Sequence, residues 1–439
     1  MSHSNQEVHD HDRKVMARSL NLSLEKFDGL VSSANYAYEV IKDLGPFYGK
    51  EENKEPTFRI PAEPVLMPRN SEKKLTLLGN DLLHLAKALQ KLPTNVKKKL
   101  ADDLDFRIPP TWRIDVIIDS RGRSKVNEIE GQDGASALMI AEQVAYGIQN
   151  LNDSTAAKIA TTLIKMSDSN KVDPYKIAHI RVDNQHNTNA NRFINFIEKV
   201  SNSKLKIDHI NENHIVEGSV KPKWEEYAGV IVETSYPPQK FYDMGLKREQ
   251  VISAGVNNAF VNKGVFALFF DDELEKFWEE QLGKARNRRL RNILIPSYFI
   301  NSVEELRQAR KKGKVVKVSW AGEKAYLINR SKGVAIPDPS VEQGSDERWN
   351  ELEKLLQQGI RIIAQDFVVP GKFASYLRKK AISLEYVDWY NRVCVKYVAE
   401  GNPNADKLPS VALTATEVTL GPEVVPAGRK CAFTAGIYR

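Results

Sequence analysis

The sequence that decides the fold is Trp112-Arg-Ile-Asp-Val-Ile-Ile-Asp-Ser-Arg-Gly-Arg-Ser-Lys-Val-Asn-Glu-Ile-Glu-Gly-Gln-Asp-Gly134. Two apolar runs with period-two alternation flank a short turn that contains Gly122, and this pattern predicts a β-hairpin. Folding the chain about that turn pairs four charged residues across the hairpin: Arg113 with Glu130, and Asp115 with Glu128. Because residues two apart on a strand share a face, we expect all four side chains on one side of the hairpin.

Three carboxylates and one guanidinium on a single face can be interpreted in two ways. Burying them without partners is costly, and a divalent cation would offset that cost because hard cations prefer carboxylate oxygens. The alternative is a solvated face with one cross-strand ion pair. The hairpin alone leaves both interpretations open.

Composition limits the class of protein. The chain has 439 residues, of which 41% are hydrophobic, and a net charge of +7. This length suits two or three domains or one large α/β enzyme, and the modest positive charge suits anionic substrates. The only two cysteines, Cys394 and Cys431, exclude a disulfide framework and favour a reducing, cytoplasmic location.

No segment of the sequence predicts a membrane anchor or a secretory signal. Apolar runs such as 264–270 are too short to span a bilayer, and the polar N-terminus lacks an apolar core. We expect a division into a disordered tail (1–20), an N-terminal region with the hairpin (21–150), a Rossmann-like α/β block (151–290) and a nucleotide-binding lobe (291–439).

Periodicity predicts helices and strands around the hairpin. Leucines at helical spacing predict an amphipathic helix over 75–92, and a second helix is expected over 135–148 with Asp133 as its cap. Alternating strands and helices over 176–233 predict a parallel βαβ block. Further strands are expected at 314–319, 361–369, 392–398 and 410–420.

A basic run at 284–291 offers an alternative function, because clustered lysine and arginine can bind nucleic acid. No aromatic residue interleaves with the basic ones as a stacking platform requires, so the run favours a solvated helix end. We therefore expect neither a nucleic-acid nor a membrane partner.

Three features of the last third suit a nucleotide. Lys317 lies in an apolar strand, where a lysine calls for an anionic partner or an edge position. The segment with Lys332 and Gly333 could close over phosphates through backbone N–H groups and an ammonium. The strand end that holds Gln365, Asp366 and Val368 could bind an adenine edge.

The order of these features resembles the circularly permuted ATP-grasp family, which includes the synthetase domain of glutathionylspermidine synthase. In that family an Asp followed about a dozen residues later by Glu-x-Asn precedes the lysine strand, as the hairpin does here. The resemblance covers roughly 55–439 and includes Asn262-Lys263 ahead of an apolar helix. It implies an α/β fold with α+β lobes, a parallel substrate-side block and antiparallel nucleotide-binding sheets.

The resemblance also implies roles for individual residues. The roles are Mg²⁺ ligation by Asp115, Glu128 and Glu130; γ-phosphate contact and catalysis by Arg113; ATP contact by Lys263, Lys317, Lys332, Gly333, Gln365, Asp366 and Val368; and substrate contact by Asp133 and Ser136. The family usually has Asn where this chain has Glu130. We expect the extra charge to shift metal choice, for example towards Mn²⁺, or to pair with Arg113, and we expect Asn127 to point to the opposite face.

The implied activity is an ATP-dependent carboxylate–amine ligase that forms an amide through an acyl-phosphate, with ATP and Mg²⁺ as cofactors. The substrates would be a small carboxylate and an amine, and amino acids, peptides and polyamines all remain open. Two other classes also remain: a catalytically inactive nucleotide-binding protein of this fold and a basic nucleic-acid-binding protein. The sequence predicts no hydrolytic second activity, and it predicts neither the substrates nor the oligomeric state.

Overall fold

The computed structural model describes residues 13–44, 59–67, 69–101, 104–131, 136–149, 155–167, 175–181, 187–233, 239–254, 258–320, 333–339, 342–380, 383–422 and 431–438. The helices there are α1 (13–19), α2 (Leu24–Leu44), α3 (Arg69–Gln90), α4 (Thr94–Lys97), α5 (Ser136–Ala145), α6 (Thr155–Ser167), α7 (Asn187–Val200), α8 (Glu212–Val216), α9 (Gln239–Tyr242), α10 (Gly264–Phe269), α11 (Glu275–Leu282), α12 (Lys284–Ile293), α13 (Val303–Lys311) and α14 (Asp346–Gln357). None of these helices is both long enough and apolar enough to cross a membrane.

The strands in the described residues form three sheets. They are β1 (Val65–Met67), β2 (Thr111–Ile118), β3 (Ser124–Glu130), β4 (Tyr175–Arg181), β5 (Leu205–Asn211), β6 (Gly229–Glu233), β7 (Val251–Ser253), β8 (Ser297–Ile300), β9 (Val315–Trp320), β10 (Val334–Ala335), β11 (Arg361–Gln365), β12 (Lys372–Lys380), β13 (Ser383–Ala399), β14 (Val411–Gly421) and β15 (Ala432–Tyr438). This mixed architecture confirms the predicted α/β class.

The largest sheet has the order β1-β15-β14-β13-β2-β3, with β12 paired to β13. Its β2–β3 hairpin is the predicted one, and the turn residue Gly122 has a φ of 71°, which glycine adopts without a Cβ penalty. One face of this sheet packs on α3, whose leucines are buried as their helical spacing predicts. The charged residues of the hairpin lie on the other face.

The second sheet is the predicted parallel block, in the order β5-β4-β6-β7 with every pairing parallel. The carboxyl ends of its strands therefore lie along one edge, which is where ligands bind in open parallel sheets.

The third sheet has the order β10-β9-β11-β8, and its pairings are antiparallel. Its Val316 and Val318 pack with α13 and α14 in one core cluster, so alternation turns Lys317 to the opposite face. The strand predicted over 361–369 is shorter than expected, because pairing of β11 ends at Gln365.

Candidate functional site

The hairpin places its charged residues as the sequence predicts. In the observed register Arg113 lies opposite Glu130 and Asp115 lies opposite Glu128. A register shift follows Asp115, because Val116 pairs with Val126 and not with Asn127. Asn127 is therefore the extra residue of a β-bulge, which locally re-aims side chains.

Arg113 is the central cation of the hairpin face. It ion-pairs with Glu130, and its Nε lies 3.3 Å from Oδ1 of Asp115. Burial would lower the pKa of Arg113, but the charges of Glu130 and Asp115 raise it well above its ordinary value. Only 14% of the Arg113 side chain and 5% of the Asp115 side chain are exposed, so a solvated face is the wrong interpretation.

The neighbouring strands extend this polar face. Asp115 lies next to Cys394 of β13, which in turn lies next to Glu417 of β14. The Cys394 thiol donates to Oδ1 of Asp115 at 3.3 Å, and Arg392 Nη1 lies 3.8 Å from Oδ2. Despite burial, Arg113 and Arg392 hold the pKa of Asp115 below its ordinary value.

Two lysines reach the bulge of β3 from different elements. Lys263, directly before α10, ion-pairs with Glu128. Lys317 of β9 donates to the backbone oxygen of Asn127 at 2.9 Å and to its Oδ1 at 2.7 Å. The prediction that Asn127 points to the opposite face is wrong. At the bulge, Asn127 accepts from Lys317 while the neighbouring Glu128 pairs with Lys263.

Burial dominates the chemistry of Lys317, whose residue is 3% exposed. It lowers the pKa of the Lys317 ammonium from 10.5 to about 8. Lys263 behaves differently, since burial is outweighed by Glu128, whose charge raises the pKa of Lys263. A phosphate oxygen next to Lys317 would stabilise its charged form.

The predicted metal ligands already have cationic neighbours. Among the described residues, no group of three or more His, Cys, Asp or Glu side chains is gathered closely enough to hold a metal ion. Lysine and arginine provide the compensating charge: Arg113 for Glu130 and Asp115, and Lys263 for Glu128. Carboxylate oxygens are nevertheless the donors that Mg²⁺ prefers, so the chemistry of the set fits that ion.

The structure describes only some of the other predicted site residues. Asp133 and Lys332 lie outside the described residues, and Ser136 is described only as the first residue of α5. The backbone oxygen of Gly333 accepts from the N–H of Val318, so this residue lies beside the lysine strand.

The predicted adenine-binding strand end is partly buried. Gln365 is 1% exposed and donates to Ser297 Oγ at 3.2 Å. Asp366 ion-pairs with Lys314, and Val368 is half-buried after the end of β11. Their roles in nucleotide binding remain predictions.

Sequence reasoning missed a pair of buried acids beside this face. Glu142 of α5 is fully buried, neither of its carboxyl oxygens has a hydrogen-bond partner, and α5 packs on β14. Burial and then the charge of Glu417 raise the pKa of Glu142 well above its ordinary value. Burial also raises the pKa of Glu417 to about 6. Burial therefore favours the neutral form of Glu142 in the folded protein.

The Glu142→Gln variant is expected to lose less stability than wild type as pH rises. The folded wild-type protein retains a proton that the unfolded chain releases near pH 4.5, so its free energy of unfolding falls with pH above that value. Urea denaturation of both proteins between pH 5 and about pH 8 measures this difference. Parallel pH dependences in the two proteins would contradict a neutral Glu142.

A second polar group lies at the carboxyl edge of the parallel sheet. His179 Nε2 lies 2.9 Å from Oε2 of Glu233, and Arg181 Nε donates to His209 Nδ1 at 3.1 Å. Arg181 and Glu233 are the last residues of β4 and β6, which are neighbours in the sheet. The rule that strand ends of parallel sheets bind ligands could have identified them from the predicted strands.

The basic run has a structural role in α12. Arg286 and Arg289 both bind the buried carboxylate of Asp81 on α3, with Nε–Oδ1 at 3.0 Å and Nη2–Oδ1 at 2.7 Å respectively. Arg291 lies over the rings of Phe269 and Phe270. These contacts remove most of the support for nucleic-acid binding by this run.

Replacing Asp81 with alanine is expected to lower the free energy of unfolding by about 2 kcal/mol, because two arginines lose a charge-assisted partner. Thermal unfolding measures the loss, and Asp272→Ala on the surface serves as the control. A loss no larger than that of the control would show that the pairs with Arg286 and Arg289 are weak.

The fold is similar to that of a known protein over nearly the whole chain. No protein-family model and no curated protein matches the sequence. The glutathione synthetase-like effector GSS30 of Globodera pallida, in its apo form, superposes with a TM-score of 0.56 at 12% identity, over 93% of this chain and 96% of that chain. A protein of Methylobacillus flagellatus assigned as a gamma-glutamylcysteine synthetase has a TM-score of only 0.39, at 10% identity over 81% of this chain and 84% of that one, and adds no support. At such identities the likeness to GSS30 concerns the fold.

Proposed function

We propose that this chain is an ATP-dependent ligase that joins a carboxylate to an amine, with a circularly permuted ATP-grasp arrangement. The observation that carries the proposal is the convergence of Lys263 and Lys317 on the carboxylate hairpin. Two ammonium groups, a guanidinium and several carboxylates on one buried face suit a polyphosphate and its counterion. The fold shared with GSS30 agrees with this class.

The residues of the chain would act by positioning and by electrostatics. Lys317 and Lys263 would bind phosphate oxygens of ATP, and Arg113 would contact the transferring γ-phosphoryl group. The substrate carboxylate attacks that phosphorus, ADP leaves, and the resulting acyl-phosphate is attacked by the amine to give an amide and phosphate. The segment with Lys332 and Gly333 would exclude water from the acyl-phosphate.

The metal ligands proposed are Asp115, Glu128 and Glu130. When bound there, Mg²⁺ would neutralise charge on the phosphates. Gln365, Asp366 and Val368 would bind the adenine. Asp133 and Ser136 would contact the organic substrate, which would lie towards the carboxyl edge of the parallel sheet.

The substrates proposed are small molecules, with amino acids and peptides as the first to be tested. The polar group at the sheet edge combines a guanidinium, an imidazole and a carboxylate, and so offers partners for both ends of a zwitterion. We also propose divisions at 150/151 and 290/291 with the parallel block between them; the strands β12 to β15 that follow the second division share a sheet with the hairpin.

Thermal unfolding with Mg²⁺ and a non-hydrolysable ATP analogue tests the proposal. A ligand at about a hundred times its Kd adds about 2.7 kcal/mol to the native state, so the wild-type midpoint should rise clearly. Glu128→Gln should reduce the shift, whereas Lys311→Met on the exposed end of α13 should not. A wild-type midpoint unmoved by saturating nucleotide would contradict the proposal.

One observation favours a second candidate, a catalytically inactive nucleotide-binding protein. Arg113 is ion-paired with Glu130, the residue that departs from the family pattern, and is thereby drawn away from a γ-phosphate. Nucleotide binding without ADP release, in the presence of any carboxylate and amine mixture, would favour this candidate. Restored ADP release in Glu130→Asn would support the same conclusion.

A further inference from the structure

We propose that a buried contact between Asn262 and Ser319, here called the clasp, positions Lys263 and Lys317 as one phosphate-binding unit. This inference rests on the proposed function for the identity of the ligand. The claim that the clasp fixes the positions of the two lysines concerns the protein without a ligand. Asn262 and Ser319 are therefore positioning residues that would act through the lysines.

The clasp is a hydrogen-bonded junction of two chain segments that lie 57 residues apart. Oδ1 of Asn262 accepts from Ser319 Oγ at 3.1 Å and from the backbone N–H of Gly264 at 2.8 Å. Asn262 is 7% exposed and Ser319 is 8% exposed, so water competes little for these bonds.

The clasp adjoins both lysines along the chain. Asn262 directly precedes Lys263, and Ser319 lies two residues after Lys317 on the same face of β9. The two ammonium groups then bind successive residues of the bulge, since Lys263 pairs with Glu128 and Lys317 with Asn127. Fixing the two backbone segments to one another therefore fixes the origins of both side chains.

The side chains of the clasp pack closely around Gly264. A Cβ added to Gly264 would lie 2.9 Å from Asn262 Oδ1, 2.9 Å from Ser319 Oγ and 3.0 Å from Leu100 Cδ2. Real Cβ atoms are rarely found at such distances, so a larger residue at position 264 would require the side chains of the clasp to shift. The start of α10 thus lies close to the Ser319 side chain of β9.

The physical reason for such a clasp is the mutual repulsion of the lysines. The two ammonium groups bind successive residues of β3, Glu128 and Asn127, so like charges lie near one another and repel. Free lysine side chains would separate, at a gain in rotamer entropy. A rigid junction at their base keeps the pair preorganised and reduces the cost of binding a polyphosphate.

The test compares amine labelling of ligand-free wild type, Ser319→Ala, Asn262→Ala and the double variant, with mass spectrometry of Lys263 and Lys317. Ser319→Ala should label both lysines about fivefold faster, as expected for loss of one buried hydrogen bond. Asn262→Ala should label them at least as fast, because it also loses the bond from Gly264. The double variant should be no faster than Asn262→Ala, because the contact with Ser319 is already lost there.

The matched control is Thr162→Val, which removes a buried hydroxyl that donates to the Ala399 oxygen at 2.6 Å outside the clasp. Unchanged labelling of the two lysines in Ser319→Ala would contradict the proposed role of the clasp, and so would an equal rise in the control. If Asn262→Ala does not fold, Ser319→Ala alone decides the question. Tripolyphosphate is the ligand probe, and its Kd should rise about fivefold in Ser319→Ala. A wild type that fails to bind it contradicts the ligand assignment, while the labelling still decides the positioning.

Discussion

Replacing Arg113 with alanine is expected to lower the free energy of unfolding by about 3–5 kcal/mol, the loss typical of removing one partner from a buried ion pair. Arg113 contacts both Asp115 and Glu130, and Asp115 is 5% exposed at its side chain. The variant leaves these carboxylates near one another with less compensating charge. Urea denaturation at neutral pH measures the difference.

The control is Arg123→Ala in the turn of the same hairpin. Arg123 also pairs with a carboxylate, Asp119, but 62% of its side chain is exposed, so its removal should cost at most about 1 kcal/mol. Equal losses of stability in the two variants would show that the buried ion pairs of Arg113 contribute no more than the exposed pair of Arg123.

Arg113→Lys separates the structural role from the catalytic one. It retains the charge but loses the guanidinium geometry, so the fold should survive. Turnover should then fall more than nucleotide affinity, as expected for a contact made in the transition state. Equal losses of turnover and affinity would contradict that role.

Lys317→Met is expected to abolish nucleotide binding while changing stability in a pH-dependent way. Lys317 loses its proton at a lower pH in the folded protein than in the unfolded chain, because burial lowers its pKa from 10.5 to about 8. The unfolded chain therefore binds more protons between pH 8 and 10.5, and wild-type stability should rise across that window. The shift corresponds to a destabilisation of the folded protein by about 3 kcal/mol. This destabilisation is fully present below pH 8 and absent above pH 10.5.

The measurement is the difference in free energy of unfolding between wild type and Lys317→Met at pH 7 and at pH 10. Wild type should gain stability relative to the variant on going to the higher pH. Lys311→Met is the control, because Lys311 is exposed at the end of α13. A wild type that gains no stability relative to Lys317→Met would contradict the lowered pKa.

Local patterning predicted the parts of this protein in which period and burial agree. The pattern of the hairpin predicted that Arg113 pairs with Glu130 and Asp115 with Glu128, and the leucines of α3 follow one helical face into the core. The lysine in an apolar strand predicted an anionic partner or an edge position. Lys317 turns away from the valine face of β9, and it donates to the neutral Asn127.

Features that depend on the bulge or on distant strands could not be predicted in this way. Strict alternation sends Asn127 to the far face, whereas one extra residue in β3 brings it to Lys317. Glu417 and Cys394 join the site because β14 and β13 pair beside the hairpin, and no local pattern specifies such pairing. The sequence does not distinguish Glu142 from other helical residues, because the packing of α5 on β14 is what buries it.

The pairing of β2 with β13 has a consequence for how the protein is made. Cys394 and Asp115 touch although they are 279 positions apart, so the hairpin leaves the ribosome long before the strand that completes its sheet. Until then the backbone groups of β2 that pair with β13 have no strand beside them, and contacts between such distant segments form slowly. Synthesis in the cell should therefore pass through a long-lived nascent chain that depends on chaperones, and truncation before β13 should yield insoluble product.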